Sequence, residues 1–132
     1  MPNARFQAAA ADQIRALHAE QATRPVAEAA LKLALALAGD PYRGERLRAK
    51  ANLKPLTEAE CRKIKFDAAS RSAAAKPRYR YRLVYRIEPH EGAPETITVL
   101  AVGAKPRVYR EATRAAAARM RELALLPPEG TS

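Results

Sequence analysis

The 132-residue sequence contains no tryptophan, two phenylalanines and a single cysteine, Cys61. One cysteine excludes an intrachain disulfide and a zinc site made of four cysteines. We expect Cys61 to be a small buried residue of a strand, with no base nearby to activate its thiol. Because large aromatic side chains are few, the core has to be built mainly from Ala, Leu, Val, Ile and Tyr.

Long apolar runs are also missing. The N-terminal string MPNARFQ lacks the apolar region of a signal peptide. The longest apolar stretch, AEAALKLALALAG, is too short and too interrupted to cross a bilayer. We therefore expect a cytoplasmic protein without a membrane partner. The length predicts a single domain over residues 1–126, followed by a flexible tail, 127–132.

Acidic residues are a minority, with 14 Asp and Glu against 24 Lys and Arg, which gives a net charge of +10. A surplus of this size in a small domain favours an anionic partner such as a nucleic acid or an acidic protein. The alternative is a basic surface that is merely solvated. The Asp and Glu residues show no convincing spacing for metal ligands, so we expect no metal and no other cofactor.

Apolar residues recur at helical spacing in the first third of the chain. They predict a helix over 8–21 and a second helix that starts at Thr23 and Pro25 and ends at Gly39. Together the two form a helical hairpin. The second helix has a wide apolar face suited to covering a sheet, formed by Val26, Ala30, Leu33 and Leu37 and widened by Leu31 and Leu35.

Alternating residues predict strands in the middle of the chain. The string CRKIKF, 61–66, places Lys63 and Lys65 on one face, and YRYRLVYRIE, 79–88, places its arginines opposite its tyrosines. The β-branched string TITVLAVG, 96–103, indicates a more buried strand that forms a hairpin with the one before it. A final helix is predicted over 109–126, with Ala112, Ala116 and Leu123 inward.

These elements predict an α+β fold. The helical hairpin is expected on one face of a small antiparallel sheet of three to four strands, with a C-terminal helix after the last strand. Tyr79, Tyr81 and Tyr85 are expected in the core. The opposite sheet face, lined with Lys and Arg, is expected to form a concave basic surface.

Several strings, in this order, resemble the RelE/ParE superfamily of toxins from bacterial toxin–antitoxin modules. The strings are GDPYRGERLRA (39–49), RKIKF (62–66), YRLVYRIE (81–88) and ITVLAVGAKPRVYREA (97–112). The most specific part is YRLVY, followed by a strand ending in VG and by a helix opening with VY. The resemblance runs from the helical hairpin to about residue 120 and implies a RelE-like fold.

The mRNA-cleaving branch of that superfamily works in the decoding site of the ribosome without a metal. The RNA 2′-hydroxyl attacks the adjacent phosphate and leaves a cyclic phosphate. The resemblance implies partners that include the ribosome, mRNA and an antitoxin with an acidic segment. It carries catalytic roles to Lys63, Lys65, Arg82, Tyr109 and either Arg107 or Lys105. Further candidates for RNA binding are Arg80, Arg86, Lys105 and Arg110.

The chemistry of these residue types fits a phosphate. A guanidinium, as in Arg82 and Arg107, stays charged and can hold two phosphate oxygens at once. Histidine is missing from these strings, so the base is expected to be a lysine or a tyrosine. Neighbouring cations favour each other's neutral form, which keeps Lys63 and Lys65 as candidates. Tyr109 is the alternative, either as base or by orienting the hydroxyl or stacking on a nucleotide.

Each of these residues also has a structural interpretation. The two lysines fit the solvent face of a strand, and Arg82 fits an ion pair with Glu60 or Glu88. Tyr109 fits a core tyrosine with an exposed hydroxyl.

Two other functions stay open, namely gyrase inhibition as in the ParE branch and non-catalytic nucleic-acid binding. The chain departs from the family in a short, Ala-rich first strand and in two lengthened segments, 49–60 and 67–77.

Overall fold

The computed structural model describes residues 2–47, 60–67, 80–89, 91–105 and 107–123. The tail 127–132, Tyr79 and most of the two lengthened segments lie outside the described residues. The order of elements is that of an α+β fold, as predicted. These elements are β1 (Asn3–Phe6), α1 (Ala8–Ala19), α2 (Arg24–Gly39), β2 (Glu45–Arg46), β3 (Arg62–Phe66), β4 (Tyr81–Glu88), β5 (Thr96–Ala104) and α3 (Arg107–Glu122).

The sheet differs from the prediction. Within the described ranges it has five strands in the order β1-β5-β4-β3-β2. Strand β1 runs parallel to β5, whereas the other pairs are antiparallel. The prediction of three to four antiparallel strands is therefore wrong. The first strand does form, because Asn3–Phe6 aligns with 96–99. Strand β2 has two residues, too few to show an alternating pattern.

Helices α1 and α2 cover one face of the sheet, hereafter the hairpin face. The alternating residues of β4 lie here as predicted, with Leu83 and Tyr85 fully buried and Tyr81 partly buried. Small side chains on the helices let their backbones approach the sheet closely. The fully buried ones are Ala10, Ala27, Ala30 and Ala34.

Two leucines of α2 do not join this core. Leu31 is 40% exposed and Leu35 is 69% exposed, so the prediction that they widen the packing face is wrong. The reason is geometric, because the buried stripe runs along the alanines and Leu37 and turns the flanking leucines to solvent. None of the helices in the described ranges combines the length and the apolar character needed to cross a bilayer.

Helix α3 covers the opposite face of the sheet, hereafter the α3 face. Its Val108, Ala112, Ala115 and Ala116 pack on residues of β4 and β5, so the predicted basic surface does not extend over the part of this face that α3 covers. The apolar stripe of α3 follows directly after β5 and has to be buried against the nearest apolar surface. That surface consists of Val84, Leu100 and Ala101, together with Leu47 and Cys61.

Two predictions about this second core have different outcomes. Leu123, expected inward, is 37% exposed, because α3 ends at Glu122 and Leu123 lies just beyond the helix. Cys61 is 1% exposed and directly precedes β3. Burial is the main cause that raises the pKa of its thiol to about 12. The thiol is therefore protonated at neutral pH and unsuited to nucleophilic chemistry.

A buried carboxylate ties α3 to β4 and β5. Glu88 accepts hydrogen bonds from Nη2 of Arg119 at 2.6 Å, Nη1 of Arg86 at 2.9 Å and Oγ1 of Thr98 at 2.7 Å. Burial alone would raise the pKa of Glu88, but the hydrogen bonds from Arg119, Thr98 and Arg86 outweigh it, so the pKa is lowered below its ordinary value.

This network corrects the expectation that Arg86 lies on an open surface. Arg86 is 4% exposed and its charge is paired with Glu88 under α3. The alternation of β4 did place Arg86 opposite the tyrosines. The alternation along β4 could not show that α3 covers this part of the strand.

Substitution of Glu88 by alanine should destabilise the fold strongly. The change removes the buried carboxylate that pairs with Arg86 and Arg119, and loss of one partner of a buried pair costs about 3–5 kcal/mol in the free energy of unfolding. Urea denaturation would measure the loss. Glu95→Ala, on the exposed part of the same hairpin, is the matched control and should change stability by less than about 0.5 kcal/mol. Equal stability of the two variants would contradict this account of the network.

The lowered pKa of Glu88 predicts acid lability with a defined sign. Because the folded carboxyl binds its proton less readily than the unfolded one, its stabilisation is complete above the ordinary glutamate value of about 4.3. It is lost as the pH falls from there through the lowered folded value. Urea denaturation at a series of pH values should show a steeper acid loss for the wild type than for Glu88→Gln. Parallel pH profiles would rule out this contribution.

Candidate functional site

The pairing of β3 with β4 brings three of the predicted cations together. Lys65 lies directly opposite Arg82, and Lys63 lies opposite Val84, which is on the α3 face. Directly opposed residues share a face, with Cβ atoms about 4.5–5.5 Å apart. Lys63, Lys65 and Arg82 therefore share the α3 face, and we call these three residues the cation cluster.

The two lysines of the cluster are available to an external anion. Lys65 is exposed and Lys63 is partly exposed. Neither forms an ion pair with another residue in the part of the chain that the structure describes. Arg82 is partly buried, and its Nη1 donates a hydrogen bond to the carbonyl oxygen of Tyr81 at 3.1 Å. The cluster thus has a partly buried guanidinium that is hydrogen-bonded to the backbone, with two more exposed lysines beside it.

The two carboxylates considered as partners of Arg82 have other cations beside them. Glu88 is held by Arg86 and Arg119, as described above. Glu60 pairs with Arg46 at 3.3 Å. Both pairs lie at a distance along the strands from the row that contains Lys65 and Arg82.

The first turn of α3 lies beside this row. Arg82 is paired across β4 and β5 with Gly103, and a Cβ on Gly103 would be 3.9 Å from the Cβ of Val108. The positive end of the α3 dipole is therefore close to the cluster and adds to its attraction for anions. Tyr109, in the first turn of the same helix, packs against the apolar cluster of the α3 face, to which Val84 belongs.

Arg107 lies on another side of α3. It is exposed, forms an ion pair with Glu111 at 2.7 Å, and lines a groove against Gln13 and Leu17 of α1. Two positions along a helix correspond to a rotation of about 200°, so Arg107 points away from the side occupied by Tyr109. The structure does not bring Arg107 to the cation cluster.

The remaining predicted RNA-binding residues have different surroundings. Arg80 is exposed and pairs with Asp67 at 2.9 Å, at the end of the sheet where Phe66 faces Tyr81. Lys105 is exposed in the turn after β5, at the same end of the sheet. Arg110 is exposed on the solvent side of α3, and Arg86 is buried. Lys105 is therefore the residue of this group best placed to extend the cluster.

A segment to which the sequence analysis gave no catalytic or binding role lies beside the lysines. The hydroxyl of Tyr85 donates to the carbonyl oxygen of Pro41 at 2.7 Å and accepts from the amide of Gly44 at 3.0 Å. Nη1 of Arg62 donates to the carbonyl oxygen of Gly44 at 2.7 Å. These bonds hold the segment 41–46 against β3.

The held segment forms one wall of a depression of about 340 Å³ beside the lysines. Its lining residues are Arg43, Gly44, Glu45, Lys63, Ile64 and Lys65. Burial is the main cause that raises the pKa of the Tyr85 hydroxyl, which therefore stays protonated and able to donate at neutral pH. The sequence showed this segment only as part of the string GDPYRGERLRA and did not predict the contact.

No protein-family model, no curated protein and no solved structure matches this chain. The function therefore has to be argued from the arrangement of the cation cluster, α3 and the segment 41–46.

Substitution of Gly44 by alanine should push β2 away from β3. The new Cβ would lie 2.6 Å from Oη of Tyr85 and 2.9 Å from the backbone oxygen of Lys63, which cannot move aside by rotation. We expect the free energy of unfolding to fall by about 1–3 kcal/mol in urea denaturation. Gly103→Ala is the matched control, since its Cβ meets nothing closer than 3.9 Å. A Gly44→Ala protein as stable as this control would contradict the close packing at β2.

Proposed function

We propose that this protein is a RelE-like toxin of a type II toxin–antitoxin module, which cleaves mRNA on the ribosome. The observation that carries the proposal is the strand register. Lys65 lies opposite Arg82, and Lys63 is two residues away on the same face. Three cations converge beside the first turn of a helix, and such an arrangement suits a single phosphate group.

The cluster fits the charge that develops in RNA cleavage by internal attack. When the 2′-oxygen attacks phosphorus, negative charge grows on the nonbridging oxygens and on the departing 5′-oxygen. Fixed cations aimed at those oxygens lower the barrier, because they are already in place when the charge appears. The guanidinium of Arg82 is positioned by its hydrogen bond to the carbonyl oxygen of Tyr81 and would bind the phosphate oxygens. The lysines would stabilise the negative charge on the departing 5′-oxygen. Tyr109 would orient the ribose or stack on a base.

The charge balance supports a partner that neutralises this surface in the resting cell. With a net charge of +10, the protein would attract an acidic segment of an antitoxin in the cytoplasm. Such a segment would compete with RNA for the same lysines. Gyrase inhibition and plain nucleic-acid binding use the same charge surplus, but neither needs lysines and an arginine converging on one point.

Removal of the cluster should abolish cleavage without unfolding the protein. We expect Lys65→Ala and Arg82→Ala each to slow mRNA cleavage on programmed ribosomes by about 10²–10³-fold, the usual effect of losing one group that stabilises transition-state charge. Tyr109→Phe should also relieve growth arrest in cells that express the protein. Lys32→Ala, an exposed lysine of α2 remote from the cluster, is the control and should remain fully toxic.

Three results would count against the proposal. Variants of the cluster that stay as toxic as the wild type would remove these residues from the site. Inhibition of gyrase supercoiling with intact mRNA would favour the ParE-like function. Salt-dependent nucleic-acid binding without cleavage or growth arrest would favour a binding module.

A further inference from the structure

Strand β2 brings a carboxylate to the cation cluster. Glu45 is paired directly with Lys63 across β2 and β3, whereas its neighbour Arg46 is paired with Arg62. Directly opposed side chains share a face, so Glu45 lies on the α3 face with the cluster and Arg46 lies on the hairpin face. Glu45 is exposed and also lines the depression that contains Lys63 and Lys65.

The position of Glu45 is held by the fold. The hydrogen bonds of Gly44 with Tyr85 and Arg62 fix the backbone immediately before it. The charged groups that face Glu45 are Arg43 on its own segment and Lys63 and Lys65 on β3. Even so, Glu45 forms no ion pair with any residue in the described ranges. Its carboxylate therefore stands beside the cations with its oxygens open to a ligand.

We propose, on the basis of the function proposed above, that Glu45 is the general base of RNA cleavage. Its carboxylate takes the proton of the ribose 2′-hydroxyl as the 2′-oxygen forms a bond to phosphorus. The bond from phosphorus to the 5′-oxygen breaks, and that oxygen takes a proton from the Lys65 ammonium. The products are a 2′,3′-cyclic phosphate and a 5′-hydroxyl. Exchange with water then returns Glu45 to the carboxylate and Lys65 to the ammonium.

This assignment resolves a conflict among the roles of the lysines. A lysine that acts as base has to lose its charge before the reaction, and then it no longer stabilises the phosphate. With Glu45 as base, all three cations of the cluster carry their charge when the attack begins, and Lys65 gives up its proton only to the departing 5′-oxygen.

The test is single-turnover cleavage of mRNA on programmed ribosomes between pH 6 and 8. It compares the wild type, Glu45→Gln and the control Glu95→Gln, an exposed glutamate outside the site. We expect Glu45→Gln to be about 10²–10⁴-fold slower, the usual contribution of a general base, with unchanged ribosome binding and unfolding midpoint. The wild-type rate should be level over this pH range. The rate of Glu45→Gln should rise with pH, because hydroxide replaces the missing base.

The alternative role of Glu45 is to neutralise Lys63. In that case Glu45→Gln would bind the ribosome more tightly and cleave at least as fast as the wild type, which would overturn the proposal. A wild-type rate that rises tenfold per pH unit would also overturn it, since it would indicate a lysine or hydroxide as base. If the wild type cleaves no mRNA at all, the proposed function itself is wrong. Cleavage by both proteins at equal rates removes only the role of Glu45.

Discussion

The burial of β4 on both faces is the constraint on which the rest of the structure depends. The tyrosines and Leu83 meet the helical hairpin, and Val84 meets α3. A strand in this position can keep charged side chains only if they are paired or lie at the border of the covering helix. Glu88 satisfies this condition at one end of the strand by joining Arg86 to Arg119, the latter on the last turn of α3.

The two ends of α3 give two arginines of β4 opposite roles. Arg86 lies under the last turns of the helix and is part of the structure, whereas Arg82 lies beside the first turn, where the cover begins. Helix α3 packs on β4 and β5, and on the neighbouring β3 Lys65 is exposed and Lys63 partly exposed next to Arg82. Helix α3 therefore buries the part of β4 that contains Arg86 and leaves the part that contains Arg82 at the border of the cation cluster.

Net charge alone gives a poor picture of where an anion would bind. Several arginines are already paired on the surface, as Arg80 is with Asp67 and Arg107 is with Glu111. The cluster differs because its lysines form no ion pair among the described residues, and because Tyr85 and Gly44 hold a neighbouring segment in a fixed place. Packing and pairing therefore decide which cations can bind an anion. The composition shows only that positive charges outnumber negative ones.

Local patterns determined the helices, strands β3 to β5 and the common face of Lys63 and Lys65, because side-chain direction follows from a period of two residues along a strand. They also determined that Tyr81 and Tyr85 face the core. Only the tertiary structure decided that β1 is present, that α3 covers Arg86, that Arg107 turns away and that Glu45 meets Lys63. These features arise from strand register and from the path of a helix over the sheet. Both depend on contacts between residues far apart in the chain, which no local period encodes.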